Sequence, residues 1–406
     1  MNPTSRQLAS AASLVLVFCF APGTSAEVIR LGPQDNWFAR LGGDSLQPGD
    51  EVVFRAGVYS DPRRLVLRHR GEPGNPIVIR AAEGERVLFR RPDAKQNSMN
   101  LEGCRHLVLS GLEITGGAAG IRIGPDASGT PSSDLVLQNL HIHHIGGVAV
   151  TCNHEGTVYR RITLRRNHIH HTAGHGEAFY LGANEGKGVF SDSLVEHNYI
   201  HDLDGPNVSQ GDGIEIKQGS FGNRIVGNVI HGTKYPGITV YGTTGQPRNV
   251  IEDNVIWDTG DHGIQAAADA ILRNNFIANV NGCGIYSRSH QGAIPDNLRI
   301  ESNYVVATGN PPLRLIGGGS AGAGIEILGN TLMGPADGLA VRVERLTALT
   351  AKANRGQGAV DGSSAIAASW TPVSHAAPSL PRLEPNPAWK FLQRSECVQR
   401  FTVPVR

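Results

Sequence analysis

The most chemically loaded stretch of the chain is Gly211-Asp212-Gly213-Ile214-Glu215-Ile216-Lys217, a run in which apolar and polar residues alternate. Alternation with a period of two places Glu215 and Lys217 on one face of a strand, with Asp212 at the turn before it. Two carboxyl groups and an amine so close together can move a proton, or two of them can hold an oxygen-seeking cation such as calcium. The plain alternative is an exposed ion pair worth ~0–1 kcal/mol. Elsewhere, Gly-Ile-x-Ile segments and the turns before them carry Tyr241, His262 with Asp261, Gln265, Tyr286, Arg288 and, in a following loop, His290; upstream, Ala178 takes the Gly slot of the segment that carries Tyr180, and Glu177 precedes it.

These residues are far apart in the chain, so the elements that carry them must bring them together. An Asn recurs inside a short apolar frame at positions 167, 198, 228, 254, 275, 303, 330 and 354, at spacings of 31, 30, 26, 21, 28, 27 and 24. Each is flanked by short period-two stretches such as Ile162-Thr163-Leu164 and His168-Ile169-His170, and a third stretch follows a Gly in most units, as in Gly213-Ile214-Glu215-Ile216. Three strands and about 27 residues per unit describe one coil of a three-sided solenoid, whose aliphatic side chains are buried against the coils above and below. The expected fold is all-β: a single parallel β-helix of roughly ten coils over residues 100–356, preceded by a cap and first coils over 27–99. A tail over 357–406 runs back along the solenoid or covers its last coil. The repeated Asn is expected near the left-handed region, with its amide bonding along the axis. The column His143, His170, His201, His231 reads as a solvated stack at one corner.

In such a coil the isoleucines of Gly-Ile-x-Ile point inward and the intervening residues outward. The outward column reads Arg122, Ala149, Tyr180, Glu215 with Lys217, Thr239 with Tyr241, Gln265, and Tyr286 with Arg288. The longest insertions, over residues 182–193, 202–211 and 290–296, lie beside the same coils and would wall a groove.

Composition narrows the class. The net charge is +1, which argues against nucleic acid or an anionic membrane as the general partner. Residues 1–26, with Arg6, an apolar run from Leu14 to Phe20 and a small-residue ending at Ala26, match a secretory signal. The mature chain is expected outside the cytoplasm, secreted or periplasmic, as a monomer with no membrane-inserted segment. Cys104, Cys152, Cys283 and Cys397 remain in no zinc-binding spacing, leaving buried thiols and disulfides both open. With 51 Gly and 6% aromatic residues, the chain suits many turns and small aliphatic layers.

The Asn-x-Ile-His and Gly-Ile-x-Ile frames, in register over roughly residues 100–354, resemble the pectin-lyase-like superfamily of right-handed parallel β-helices. The segment from Leu46 to Ile79 resembles the opening segment of that superfamily. The stretch ending at Lys217 is similar to segments of β-helical uronate lyases, in which an outward Lys removes the proton α to a carboxylate. The resemblance implies a polysaccharide lyase acting on an acidic polymer by β-elimination, with Lys217 as base, Arg288 or another cation as carboxylate partner, and Asp212 with Glu215 as calcium ligands. Lys217 and Arg288 lie three coils apart, ~14 Å at ordinary strand spacing. Tyr241, one coil from Lys217, and His262, two coils away, are therefore the nearer candidates for proton donor or base. Tyr180, Gln265, Tyr286 and His290 would contact the sugars. Gly174-His175-Gly176 resembles a fragment of polygalacturonases without their other motifs, which sets a glycoside hydrolase below a lyase. A C5-epimerase shares the proton abstraction, and a non-catalytic carbohydrate-binding or structural surface protein is the alternative from another class.

Overall fold

Nine residues spaced 21 to 35 positions apart, Ile121, Val150, Phe179, Ile214, Ile238, Ile264, Ile285, Leu313 and Val341, pair in a single parallel register and point inward. The structure, a computed structural model, describes residues 26–318, 324–346 and 348–374. Every strand pairing between its named strands is parallel, and the strands fall into three sheets that run the length of the molecule. The first sheet takes the strands before each repeated Asn, the second those after it, and the third those after the Gly. About twelve coils are stacked, against the roughly ten expected, because the solenoid already begins at Val28–Leu31. Residues 1–25, which hold most of the expected secretory signal, and residues 375–406 with Cys397 lie outside the described residues. Within the described tail, Ala359–Asp361 and Trp370–Pro372 pair with the preceding coil, and the short helix Ser364–Ser369 buries Ile366. At the other end, helix Trp37–Gly42 buries Trp37 and Leu41, and Trp37 packs edge-on against Tyr59 and Phe89. Among the described residues, no helix is long and apolar enough to cross a membrane. Cys104, Cys152 and Cys283 are free and buried.

The corner between the first and second sheets is held by the repeated Asn. From Asn167 to Asn354 all eight are at most 2% exposed. From Asn198 onwards each side-chain oxygen accepts from both the backbone N–H and the side-chain amide of the Asn one coil earlier, while Asn167 accepts from the Leu140 backbone N–H; Asn254, for example, accepts from Asn228 N at 2.9 Å and Asn228 Nδ2 at 2.9 Å. Its own amide donates to Ile225 O and to Asn275 Oδ1, both at 3.0 Å. The left-handed residue is not the Asn but the one before it, as at Arg166 (φ 55°), Asp253 (φ 57°) and Asn274 (φ 54°). The chain must turn first so that the following amide points into the corner.

The histidine column also differs from expectation. His143, His170, His201 and His231 pair in register within strands of the second sheet, and the left-handed turn comes one residue later, at His144, His171 and Asp202. A parallel column, Glu113, His141, His168 and Tyr199, runs beside it. Burial, reinforced by neighbouring imidazoles, pushes His141 down to about 4 and lowers His168 and His170 as well.

Asn254→Ala would strip the buried Asn228 N–H of its acceptor and the Ile225 carbonyl of its donor. Each such orphaned group costs about 1–3 kcal/mol. The variant should lose about 3 kcal/mol in urea unfolding followed by circular dichroism, whereas the exposed substitution Arg160→Ala should stay within about 0.5 kcal/mol of the parent.

Candidate active-site groove

On the outer face of the third sheet the register runs Arg122, Thr151, Tyr180, Glu215, Thr239, Gln265, Tyr286, Arg314. Thr151 replaces the expected Ala149, because Val150 rather than Val148 is paired with Ile121. Over the middle of this column lies a groove of about 430 Å³. The long insertions wall it: Asn184 comes from one, Gln210 from the second, and His290 and Gln291 from the third, where His290 and Ala293 exchange backbone hydrogen bonds in a tight hairpin. Tyr180 donates from its hydroxyl to Asn184 Oδ1 at 3.2 Å, joining wall to floor.

Of the residues singled out from the sequence, Lys217, Tyr241, Arg288, Tyr180, Gln265, His290, Asp212 and Glu215 all line this groove. His262 and Tyr286 pack on each other beside it, ring centroids 4.1 Å apart, and His262 Nδ1 accepts the Cys283 backbone N–H. Glu215 and Lys217 are not the solvent-exposed pair that strand alternation suggests; they are 3% and 4% exposed, because the walls fold over the strand.

The floor is a compact polar network. Glu215 Oε1 accepts from Lys217 Nζ and from the Tyr241 hydroxyl, the latter at 2.9 Å. Lys217 Nζ also lies 4.4 Å from the centre of the Tyr180 ring, a cation–π contact. Tyr241 stacks on His290 with centroids 5.1 Å apart. Asp212 accepts from the Thr239 hydroxyl at 2.7 Å.

One member was missed as a functional group. Glu177 is fully buried, and one oxygen each from Glu177, Asp212 and Glu215 lie within 4.8 Å of one another. Its sequence signal was present: Glu177 precedes Ala178 as Asp212 precedes Gly213, and those positions are stacked, with the Ala178 N–H donating to Asp212 O. Both Glu177 oxygens and Glu215 Oε2 have no hydrogen-bond partner. Three buried carboxyl groups, two of them with orphaned oxygens, are the donor set a hard cation takes. Burial, with the Glu215 charge adding to it, raises Glu177 and holds Asp212 well above the usual carboxylate range. Burial acts to lower Lys217, but the Glu215 carboxylate outweighs it and holds the amine above its ordinary value. Burial and Glu215 likewise keep Tyr241 protonated, and burial lowers His290.

A solenoid of stacked parallel coils with a walled, charged groove on one sheet defines a β-helix protein with a candidate active site. The chain belongs to the right-handed β-helix family: the family model for the right handed beta helix region matches residues 82–247 and 243–332. No curated protein sequence matches it. Among solved structures it is similar to an alginate lyase from Paenibacillus sp., at 19% identity and TM-score 0.53, covering 70% of this chain and 95% of that one. It is similar to the PL6 family alginate lyase AlyGC at 16% identity and TM-score 0.56, covering 86% of this chain and 53% of that one, so it spans about half of that protein. The A-module of an Azotobacter vinelandii mannuronan C-5 epimerase aligns at 15% identity and TM-score 0.50, over 80% of this chain and 91% of that module.

A carboxyl group whose pKa is raised by folding contributes stability below its unfolded value near 4, and that contribution is lost as pH rises towards the folded value. Asp212→Asn removes this ionisation. In chelator its melting temperature should therefore exceed the parent's by about 2 °C or more at pH 8. The gain should shrink towards zero at pH 4 in calorimetric melts.

Proposed function

We propose that this protein is an exported polysaccharide lyase that cleaves a uronate-containing chain by β-elimination. The observation that carries this reading is the convergence of Lys217, Tyr241 and the buried carboxyl cluster on the floor of one long-walled groove, with Arg288 further along it. The fold likeness to two alginate lyases and a mannuronan epimerase supports an acidic polymer as the class of substrate.

In this mechanism the neutral form of Lys217 takes the proton α to the uronate carboxylate and becomes the ammonium that Glu215 stabilises. Negative charge then builds on that carboxylate and must be neutralised. Tyr241, protonated at neutral pH, gives its proton to the departing glycosidic oxygen as the double bond forms, so one proton leaves carbon and one reaches oxygen. Arg288, three strands along the column and exposed, pairs with the carboxylate of a neighbouring sugar. Tyr180, Gln265 and His290 contact the sugar rings. Glu177, Asp212 and Glu215 would hold a calcium ion, whose charge would offset the carboxylates that keep Lys217 protonated and help neutralise the substrate. Every one of these groups comes from a single chain, which suits a monomer.

Lys217→Ala should lower the release of unsaturated uronate ends, read by ultraviolet absorbance on alginate, pectate and bacterial exopolysaccharides, by about 100- to 10,000-fold. Substrate retention on an affinity gel should be largely kept. If the wild-type chain inverts C5 on any of these polymers without forming double bonds, the protein is an epimerase; if it turns over none of them, the lyase reading fails. Chelation should remove most of the activity and added calcium restore it, whereas unchanged rates in chelator would remove Glu177, Asp212 and Glu215 as metal ligands.

A further inference from the structure

The second sheet carries a separate concentration of chemistry on its outer face. Eight of the chain's sixteen histidines lie there, His141, His143, His144, His168, His170, His171, His201 and His231. Coil stacking brings them into ring contact: His141 on His168 at 4.7 Å and 4° between planes, His143 on His170 at 5.2 Å and 8°. One ring nitrogen from each of His141, His168 and His170 lies within 4.8 Å of the other two, and His141 Nε2 is 2.8 Å from His170 Nε2.

We propose that His141, His168 and His170 form a binding site for a borderline-soft divalent metal ion of the zinc class, assembled across two coils and separate from the groove. Imidazole nitrogen suits zinc, copper and nickel, whereas calcium and magnesium take oxygen, so this site and the buried carboxyl cluster sort ions by type. The nitrogens are close enough to share protons. A metal at the usual ~2.0–2.1 Å from each nitrogen needs them roughly 3.3 Å apart in a tetrahedral arrangement, which small ring rotations supply. All three rings are half-buried, so solvent still reaches them.

The surrounding groups act as an outer shell of the kind that orients metal-binding imidazoles. His170 Nδ1 lies 2.6 Å from His171 Nδ1, which occupies the far nitrogen and leaves Nε2 facing His141. His143 pairs with Glu113 at 2.9 Å, and that carboxylate terminates the column with negative charge. Geometry of the sheet does not by itself demand histidine: the register-equivalent positions in later coils hold Tyr199, Val229, Val255 and Phe276 beside one column and Trp257 and Ala278 in the other. The imidazoles that converge, His141, His168 and His170, sit on two successive coils, and His201 and His231 continue only one of the two columns.

The test is calorimetric titration of zinc into the untagged full-length protein, with calcium as the comparison. One zinc site is expected, weakened about 100-fold by His141→Gln and by His170→Gln. It should be unaffected by Asp212→Asn, which alters only the carboxyl cluster and so separates this proposal from the lyase reading. X-ray absorption on the zinc-loaded wild type should show nitrogen at ~2.0 Å. Absence of zinc binding, affinity unchanged in both histidine variants, or a spectrum of oxygen ligands alone would each overturn the proposal; the spectrum decides even if a variant fails to fold.

Discussion

The axial amide ladder at one corner is the constraint on which the rest of this molecule depends. From Asn198 to Asn330 each buried Asn satisfies the backbone and side-chain donors of the Asn in the coil before it while its own amide donates to the coils on either side. In a parallel stack the hydrophobic effect alone is indifferent to small sliding, because one aliphatic layer packs on the next almost equally well after a shift. Directional bonds in a dry corner are not indifferent, since a slipped amide leaves orphaned donors. A slip of one residue would also turn Glu215 inward and Ile214 outward. The ladder therefore sets the register that every outward column inherits.

Fixed register turns sequence separation into surface neighbourhood. Tyr180, Glu215 and Thr239 are adjacent only because their strands pair in line, and Glu177 meets Asp212 only because residues 178 and 213 are stacked. Strand pairing creates the floor of the groove, and the insertions create its dryness. Under these walls Lys217 and Tyr241 face Glu215 in a medium far less screening than water, and both are held above their ordinary values. Burying three carboxyl groups together costs stability, a cost characteristic of sites that bind charge rather than of packing.

The solenoid also separates its chemistries by face. The third sheet presents carboxyl groups, an amine and phenols beneath loops, while the second presents stacked imidazoles on an open strand surface. Both sets use residues about one coil apart, and neither would exist in a fold that did not repeat its register.

Much of this was legible in the residues alone. The Asn spacing, the Gly-Ile-x-Ile frames and the three long insertions determine a three-sided parallel solenoid and the coils that carry its groove, because period-two alternation and repeat length are properties of the local chain. Eight of the ten singled-out residues line that groove for the same reason. The sequence could not decide exposure. Alternation tells which way a side chain points, not whether a loop folds over it, so Lys217 and Glu215 read as a solvent pair. Nor could it supply the phase of an imperfect repeat, which moved Ala149 out of the column and brought in Thr151, or the reach of Glu177 across a coil containing an insertion. Those outcomes depend on contacts between residues distant in the chain, and only the folded stack determines the local dielectric and which charge is nearest.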